Sequence, residues 1–355
     1  MCRWFAYISA DEHCLLEDAL IAPAHSLAKQ CNQRYLPGLV HGNTEGDYDL
    51  SAQEIRNRNS ANNNDGLGVA WYTWVRADYG EANGPCPVVY RTLSDPLKDP
   101  NFVSICASTS TLALFGHIRA ASPGSRVTES NAHPFPFGRW LFMHNGGVAH
   151  FATCPAFKKA MIHAISDEAL ADVWGTTDSE YMGALFFTHL SKLSEEAGGP
   201  GGAAAWDQSH PLDMVKRALE NALTQIFELQ KQTVKPVEAI EPSGLNIVIT
   251  DGVQMLAIRF RNHPTEQPAS LYMSTTAGIT LNRKYPDHPD GDHATYRPET
   301  SLSDLKGPHE HGNHLIIASE PSTYKEEEWH LIPKNECVMI DHNGDIQRAP
   351  VDVQF

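Results

Sequence analysis

The chain opens Met1-Cys2-Arg3-Trp4-Phe5. An initiator methionine followed by a small residue is of the kind that is removed, so the mature chain is expected to begin at Cys2, with a thiol and a free α-amine on one carbon. Those two groups make a nucleophile and a base. A free thiol titrates near ~8.5 and an α-amine near ~7.7 to 8.0, so a modest fraction of each is reactive at neutral pH. The amine can take the thiol proton, directly or through a water, and later return it to a leaving amine. A cysteine at position 2 means little by itself; motifs further along supply its context. They are Asn64-Asp65-Gly66-Leu67-Gly68, Gly116-His117-Ile118-Arg119-Ala120-Ala121-Ser122, Asn131-Ala132-His133-Pro134-Phe135, His144-Asn145-Gly146-Gly147 and Thr177-Asp178-Ser179-Glu180.

These groups need elements to hold them. Trp4 to Ile8 is a short apolar and aromatic run that reads as a buried strand and fixes Cys2 at a sheet edge. Strands are also expected at 67–74, after a glycine turn, at 88–91, and at 112–118 and 140–143, the last two each ending in a polar motif. The period then changes. Met182, Leu185, Phe186, Leu190 and Leu193 fall at three- and four-residue spacings behind Thr177 or Asp178 as cap, which predicts a helix over 178–193. A second helix is expected from Leu212 to about Gln230. Strands return at 245–250 and 253–260 around Asp251-Gly252, and at 337–340 before Asn343-Gly344, both hairpin signals. Helices bracketed by two sets of strands predict a layered α+β protein with helices covering stacked sheets. Surface insertions are expected near 41–64, 196–210 and 283–313, within a single domain spanning 2–355.

With 355 residues and 41% hydrophobic composition the chain can bury a sizeable core. A net charge of -16 and a pI near 5.5 argue against a nucleic-acid or anionic-membrane surface, which needs clustered Lys and Arg. No run of about 18 apolar residues and no signal-peptide pattern are seen, so a soluble, cytoplasmic protein is expected. Seven scattered cysteines with no C-x-x-C pair read as reduced thiols. His309, His311 and His314 could gather a metal, but their Gly- and Pro-flanked setting lacks an obvious fourth ligand and reads as a solvated loop. No metal and no cofactor are expected.

Taken in order behind an N-terminal cysteine, the motifs resemble the glutaminase domain of class II glutamine amidotransferases. The resemblance covers the whole chain and implies a four-layer αββα Ntn-hydrolase sandwich. It implies that Cys2 is the nucleophile, that Arg119 grips a substrate α-carboxylate through a bidentate fork with a hydroxyl at Ser122 assisting, and that Asp178 takes the α-ammonium. It places an oxyanion hole at the Asn145 side chain and the Gly146 backbone N–H. His133 joins the substrate-binding set as a support of the pocket, as does the Asp65-Gly66-Leu67-Gly68 turn. Arg3 either lowers the thiol pKa or lies on the surface.

Pro23-Ala24-His25-Ser26, Asp65 to Tyr72, Ala120 to Gly124 and Met143 to Gly147 look most like the standalone fungal type that degrades glutathione with a peptidase-like protein partner. That implies hydrolysis of the γ-glutamyl bond of glutathione to glutamate and Cys-Gly. Ergothioneine-pathway γ-glutamyl hydrolases share much of this layout. An ammonia-supplying glutaminase subunit and a catalytically silent scaffold are the other readings.

Overall fold

The computed structural model describes residues 2–31, 65–122, 124–285, 311–323 and 325–355. Its strands in chain order are β1 (Arg3–Ser9), β2 (Cys14–Leu15), β3 (Leu67–Thr73), β4 (Cys86–Thr92), β5 (Ser110–Thr111), β6 (Ala113–Ile118), β7 (Phe135–Phe137) and β8 (Trp140–Gly147). They continue as β9 (Gly244–Thr250), β10 (Met255–Arg261), β11 (Tyr272–Ser274), β12 (His314–Ala318), β13 (His330–Leu331), β14 (Glu336–Ile340) and β15 (Ile346–Pro350). One sheet runs β13-β11-β12-β1-β6-β3-β4 and another β15-β14-β10-β9-β8-β7, with antiparallel pairing throughout.

Both sheets are buried on two faces, so their strands read as near-continuous apolar runs and the two-residue period sorts each side chain to a layer. On one face of the first sheet, Phe5, Tyr7, Val69 and Leu114 pack on Leu16, Leu20, Phe102 and Cys106 from the helices Leu16–Leu20 and Pro100–Ser108. The alternate residues Trp4, Ala6, Ile8 and Phe115 meet Leu141, Met143, Val248 and Ala257 of the second sheet. That sheet's outer face, with Phe142, Ile247 and Ile258, is covered by Met182, Phe186, Leu219 and Ile226 of the helices Asp178–Glu196 and Leu212–Thr233. The order helix, sheet, sheet, helix is the expected αββα layering.

Two expectations need correction. The 196–210 segment is not wholly a surface insertion: Gly198 and Gly199 are exposed, but Ala205, Trp206 and His210 are buried, and Trp206 Nε1 donates to the Phe187 carbonyl at 3.0 Å. A large aromatic reaching the core under its own hydrogen bond outweighs the glycine-rich flank. His314 does not belong to a solvated loop either. It begins β12, is buried, and its Nε2 accepts from Gly278 N–H at 3.0 Å. Residues 41–64 and His309 lie outside the described residues.

The glycine at position 68, inside β3, has a steric origin. At Gly68, β3 passes so close to the 133–134 peptide that any Cβ would overlap the His133 carbonyl. Gly68→Ala must therefore push two backbones apart, and we expect a loss of about 1–3 kcal/mol or more in unfolding free energy, read from the urea midpoint.

Candidate active site

The layers bring the ends of three strands together. β6 pairs with β1 so that Trp4 faces His117, and the chain leaving β6 passes Cys2: the Cys2 thiol donates to the Ala120 carbonyl at 3.5 Å and its sulfur accepts from Ala120 N–H at 3.3 Å. Asp65 buttresses this crossing. Its backbone N–H donates to Arg119 O at 3.2 Å, its Oδ2 accepts from Ala121 N–H at 2.9 Å, and Arg119 N–H donates to Gly66 O at 2.7 Å. The support role expected of the Asp65-Gly66 turn is thus a two-strand continuation of the β3–β6 ladder.

Arg119 is buried, and its guanidinium partly holds its own loop: Nη1 donates to Arg126 O at 2.7 Å and Nη2 to Ser125 Oγ at 2.6 Å. A guanidinium has about five N–H donors, so a fork remains for another acceptor. Ser125, not Ser122, supplies the hydroxyl on Arg119. Sequence reading missed it because the loop doubles back, with Ser125 N–H donating to Ser122 O at 2.9 Å. Ser122 is exposed at the cleft wall. Arg3 is neither on the surface nor aimed at Cys2; the strand period sends it to the opposite face, where its charge acts on His25.

The strand expected at 140–143 runs on through the His144-Asn145-Gly146-Gly147 motif, which lies within β8. Gly146 has φ +147°, and a Cβ there would overlap the Gly244 carbonyl on β9. That close approach bars other residue types. Asn145 pairs in register with Asn246, and the two behave differently. Asn246 Nδ2 donates to Ala269 O at 3.1 Å, whereas the side-chain amide of Asn145, a residue buried as a whole, makes no hydrogen bond among the described residues.

Asp178 follows the helix cap. Thr177 Oγ1 accepts from Glu180 N–H at 3.3 Å, and Glu180 reaches back to accept from Trp174 and Gly175 N–H at 2.9 and 2.7 Å. This is a variant of the capping box, and it explains the Thr-x-x-Glu spacing. Asp178 Oδ2 accepts from Val148 N–H at 2.8 Å, so the carboxylate is tied to the residue just beyond Gly147. It borders a cleft of about 600 Å³ together with Ser122, Ser125, Gly147 and Thr176. Charge links the set: burial pushes the Cys2 thiol up, the Ala120 N–H and the Arg119 charge oppose that, and Asp178 adds to it. Burial likewise lowers the Arg119 pKa, opposed by Cys2, Asp65 and Asp178.

Behind the site lie His117, His133 and His144, all buried. His133 packs tilted against His117 with ring centroids 4.1 Å apart, and among the described residues both its ring nitrogens lack partners. It is buried beside Phe135, with ring centroids 4.4 Å apart. His117 Nε2–H donates to His144 O at 3.3 Å, and His144 Nδ1 lies 2.9 Å from Ser179 Oγ. Burial lowers all three pKa values, His117 to about 3. Among the described residues no group of three or more His, Cys, Asp or Glu side chains is arranged to hold a metal ion. No helix among them is long and apolar enough to cross a membrane.

A family model for glutamine amidotransferases class-II matches residues 39–352. The chain belongs to this family. As a class-II glutamine amidotransferase it is an amide-hydrolysing enzyme of the Ntn-hydrolase type. The probable glutamine amidotransferase DUG3 of Saccharomyces cerevisiae is 27% identical over 358 residues, spanning 100% of this chain and 86% of that protein. The glutamine aminotransferase class-II domain protein of Silicibacter pomeroyi has the same fold, with a TM-score of 0.56 at 18% identity over 100% of both chains. The allosteric regulatory enzyme of purine biosynthesis aligns with a TM-score of 0.50 at 10% identity, over 100% of this chain and 50% of its own. The family match begins after Cys2.

The buried histidines give the class-II glutamine amidotransferase an acid sensitivity with a defined sign. His117 titrates at about 3, His25 at about 4 and His314 at about 3 in the fold, against 6.5 ordinarily. Below pH 6.5 the unfolded chain takes up protons that the native state refuses, so each group removes about 1.4 kcal/mol per pH unit until its folded pKa is reached. The thermal midpoint should fall steadily as pH is lowered from 6.5 to 4, as followed by calorimetry, and His25→Phe should make that decline shallower.

Proposed function

We propose that Cys2, freed at the N-terminus, hydrolyses the γ-glutamyl amide bond of glutathione to give glutamate and Cys-Gly. The observations that carry this reading are the Asn145 amide on β8, which makes no hydrogen bond among the described residues, and the charges of Arg119 and Asp178, which act on Cys2. Burial pushes the thiol up, and attack by sulfur needs a base to take its proton. Once Met1 is gone, the α-amine of Cys2 is the nearest one.

The thiol proton passes to that amine as sulfur attacks the γ-carbonyl. The tetrahedral oxyanion is held by the Asn145 amide and the Gly146 N–H, and the amine leaves with the proton. Water then attacks the glutamyl thioester, expelling the Cys2 thiolate. Arg119 has donors left for the α-carboxylate, and Asp178, an acceptor already aligned by Val148 N–H, takes the α-ammonium. A zwitterion held at both charges leaves the γ-carbonyl to face the sulfur. Glutathione as the substrate, and a separate peptidase-like protein partner, rest on the resemblance to the standalone fungal type.

Two measurements test the reading. Intact mass should show a chain starting at Cys2, and Cys2→Ala should abolish hydrolysis of glutathione and glutamine, assayed in parallel with and without an added partner, while circular dichroism stays unchanged. Full activity in Cys2→Ala would end it. Asn145→Ala should lower kcat by about 10²–10³ with little change in KM, the mark of a lost oxyanion donor. A pure KM effect would move Asn145 out of that role.

A further inference from the structure

The cleft that Asp178 borders is also lined by Phe151, Arg126 and Lys158. Lys158 lies in the helix Pro155–His163 and is half-buried. Its ammonium stands 4.9 Å from the centroid of the Phe151 ring and 6.0 Å from that of Tyr181, and those two rings are 5.6 Å apart. Ring faces hold a cation in place without neutralising it. Neither Lys158 nor Arg126 has a carboxylate partner among the described residues, although the chain carries a net charge of -16. Two unneutralised cations on one cleft of an acidic protein mark a place for an anion.

We infer that this end of the cleft is a subsite for a carboxylate on the leaving half of the substrate, with Lys158 as its principal contact and Arg126 at the rim. The inference rests on the hydrolytic reading above. Tyr181 sits one helical turn from Asp178, so an ammonium beside Tyr181 is on the order of 10 Å from the group that takes the α-ammonium. An extended γ-glutamyl dipeptide spans a comparable length. A cleft of about 600 Å³ also lies in the range of pockets that enclose ligands larger than a single amino acid. Glutamine, whose leaving group is ammonia, would leave this end empty. The subsite therefore selects amides whose amine portion ends in a free carboxylate.

The test compares glutathione, its glycine carboxamide and glutamine. Binding to Cys2→Ala protein by titration calorimetry needs no turnover and no partner. Glutathione should bind about tenfold more tightly than the carboxamide, and Lys158→Met should erase that difference by weakening glutathione alone. Lys158→Arg should retain most of it. In the Cys2-intact enzyme Lys158→Met should lower kcat/KM for glutathione about tenfold relative to that for its glycine carboxamide. Equal affinity for glutathione and its carboxamide in the Lys158 protein, an equal loss on both in Lys158→Met, or no measurable binding of either would overturn the subsite. Carboxylate-dependent binding of glutathione without its hydrolysis would instead keep the subsite and overturn the glutathione-hydrolase reading.

Discussion

Two sheets packed through apolar side chains can slide over one another, because the attraction among Trp4, Phe115, Met143 and Val248 has no direction. The contact that fixes them at the active-site end is polar: His117 on β6 donates to the His144 carbonyl on β8 at 3.3 Å. A second pin stands at the far end, where Tyr72 on β3 shares its hydroxyl with Arg139 O and Thr250 O at 2.8 and 3.0 Å. Because both are buried, a shift between the sheets would leave polar groups stranded at a cost well above one ordinary hydrogen bond. The alignment between Cys2, carried by the first sheet, and Asn145, carried by the second, depends on these pins.

The same constraint accounts for the charge pattern. A neutral imidazole can donate from Nε2 to a carbonyl while the rest of its ring stays dry, and burial keeps His117, His133 and His144 in that form. Protonating them would set positive charge close to Arg119. Keeping them neutral leaves Arg119 as the local cation and Asp178 as the local anion, the arrangement suited to a ligand with one charge of each sign.

Much of this was legible in the chain. Period-two and period-3.6 patterns located β1, β3, β6 and the helices Asp178–Glu196 and Leu212–Thr233, since these elements bury whole faces. The motifs named Cys2, Arg119, Asn145, Gly146 and Asp178, and of these Arg119 and Asp178 lie within electrostatic reach of Cys2. Illegible were the helix Pro100–Ser108, whose apolar face is reduced to Phe102 and Cys106, and β11, three residues long. Ser125 escaped because its contact with Arg119 depends on how a loop closes, and loop closure leaves no periodic trace. Lys158 escaped for a related reason: a lysine in an amphipathic segment reads as solvated face until Phe151 and Tyr181 are seen beneath it.

The order of strands in the two sheets has a further consequence for the protein in a crowded solution. Every open sheet offers unpaired backbone donors and acceptors at its margins, a template for pairing with another molecule. Here the outermost strands are β4 and β13 in one sheet and β7 and β15 in the other. Pro87, Pro136 and Pro350 lie on β4, β7 and β15, each removing a ladder donor, and β13 is two residues long. Among the described residues these features shorten the adhesive margins of both sheets, and replacing Pro87 with a β-branched residue would lengthen the one on β4.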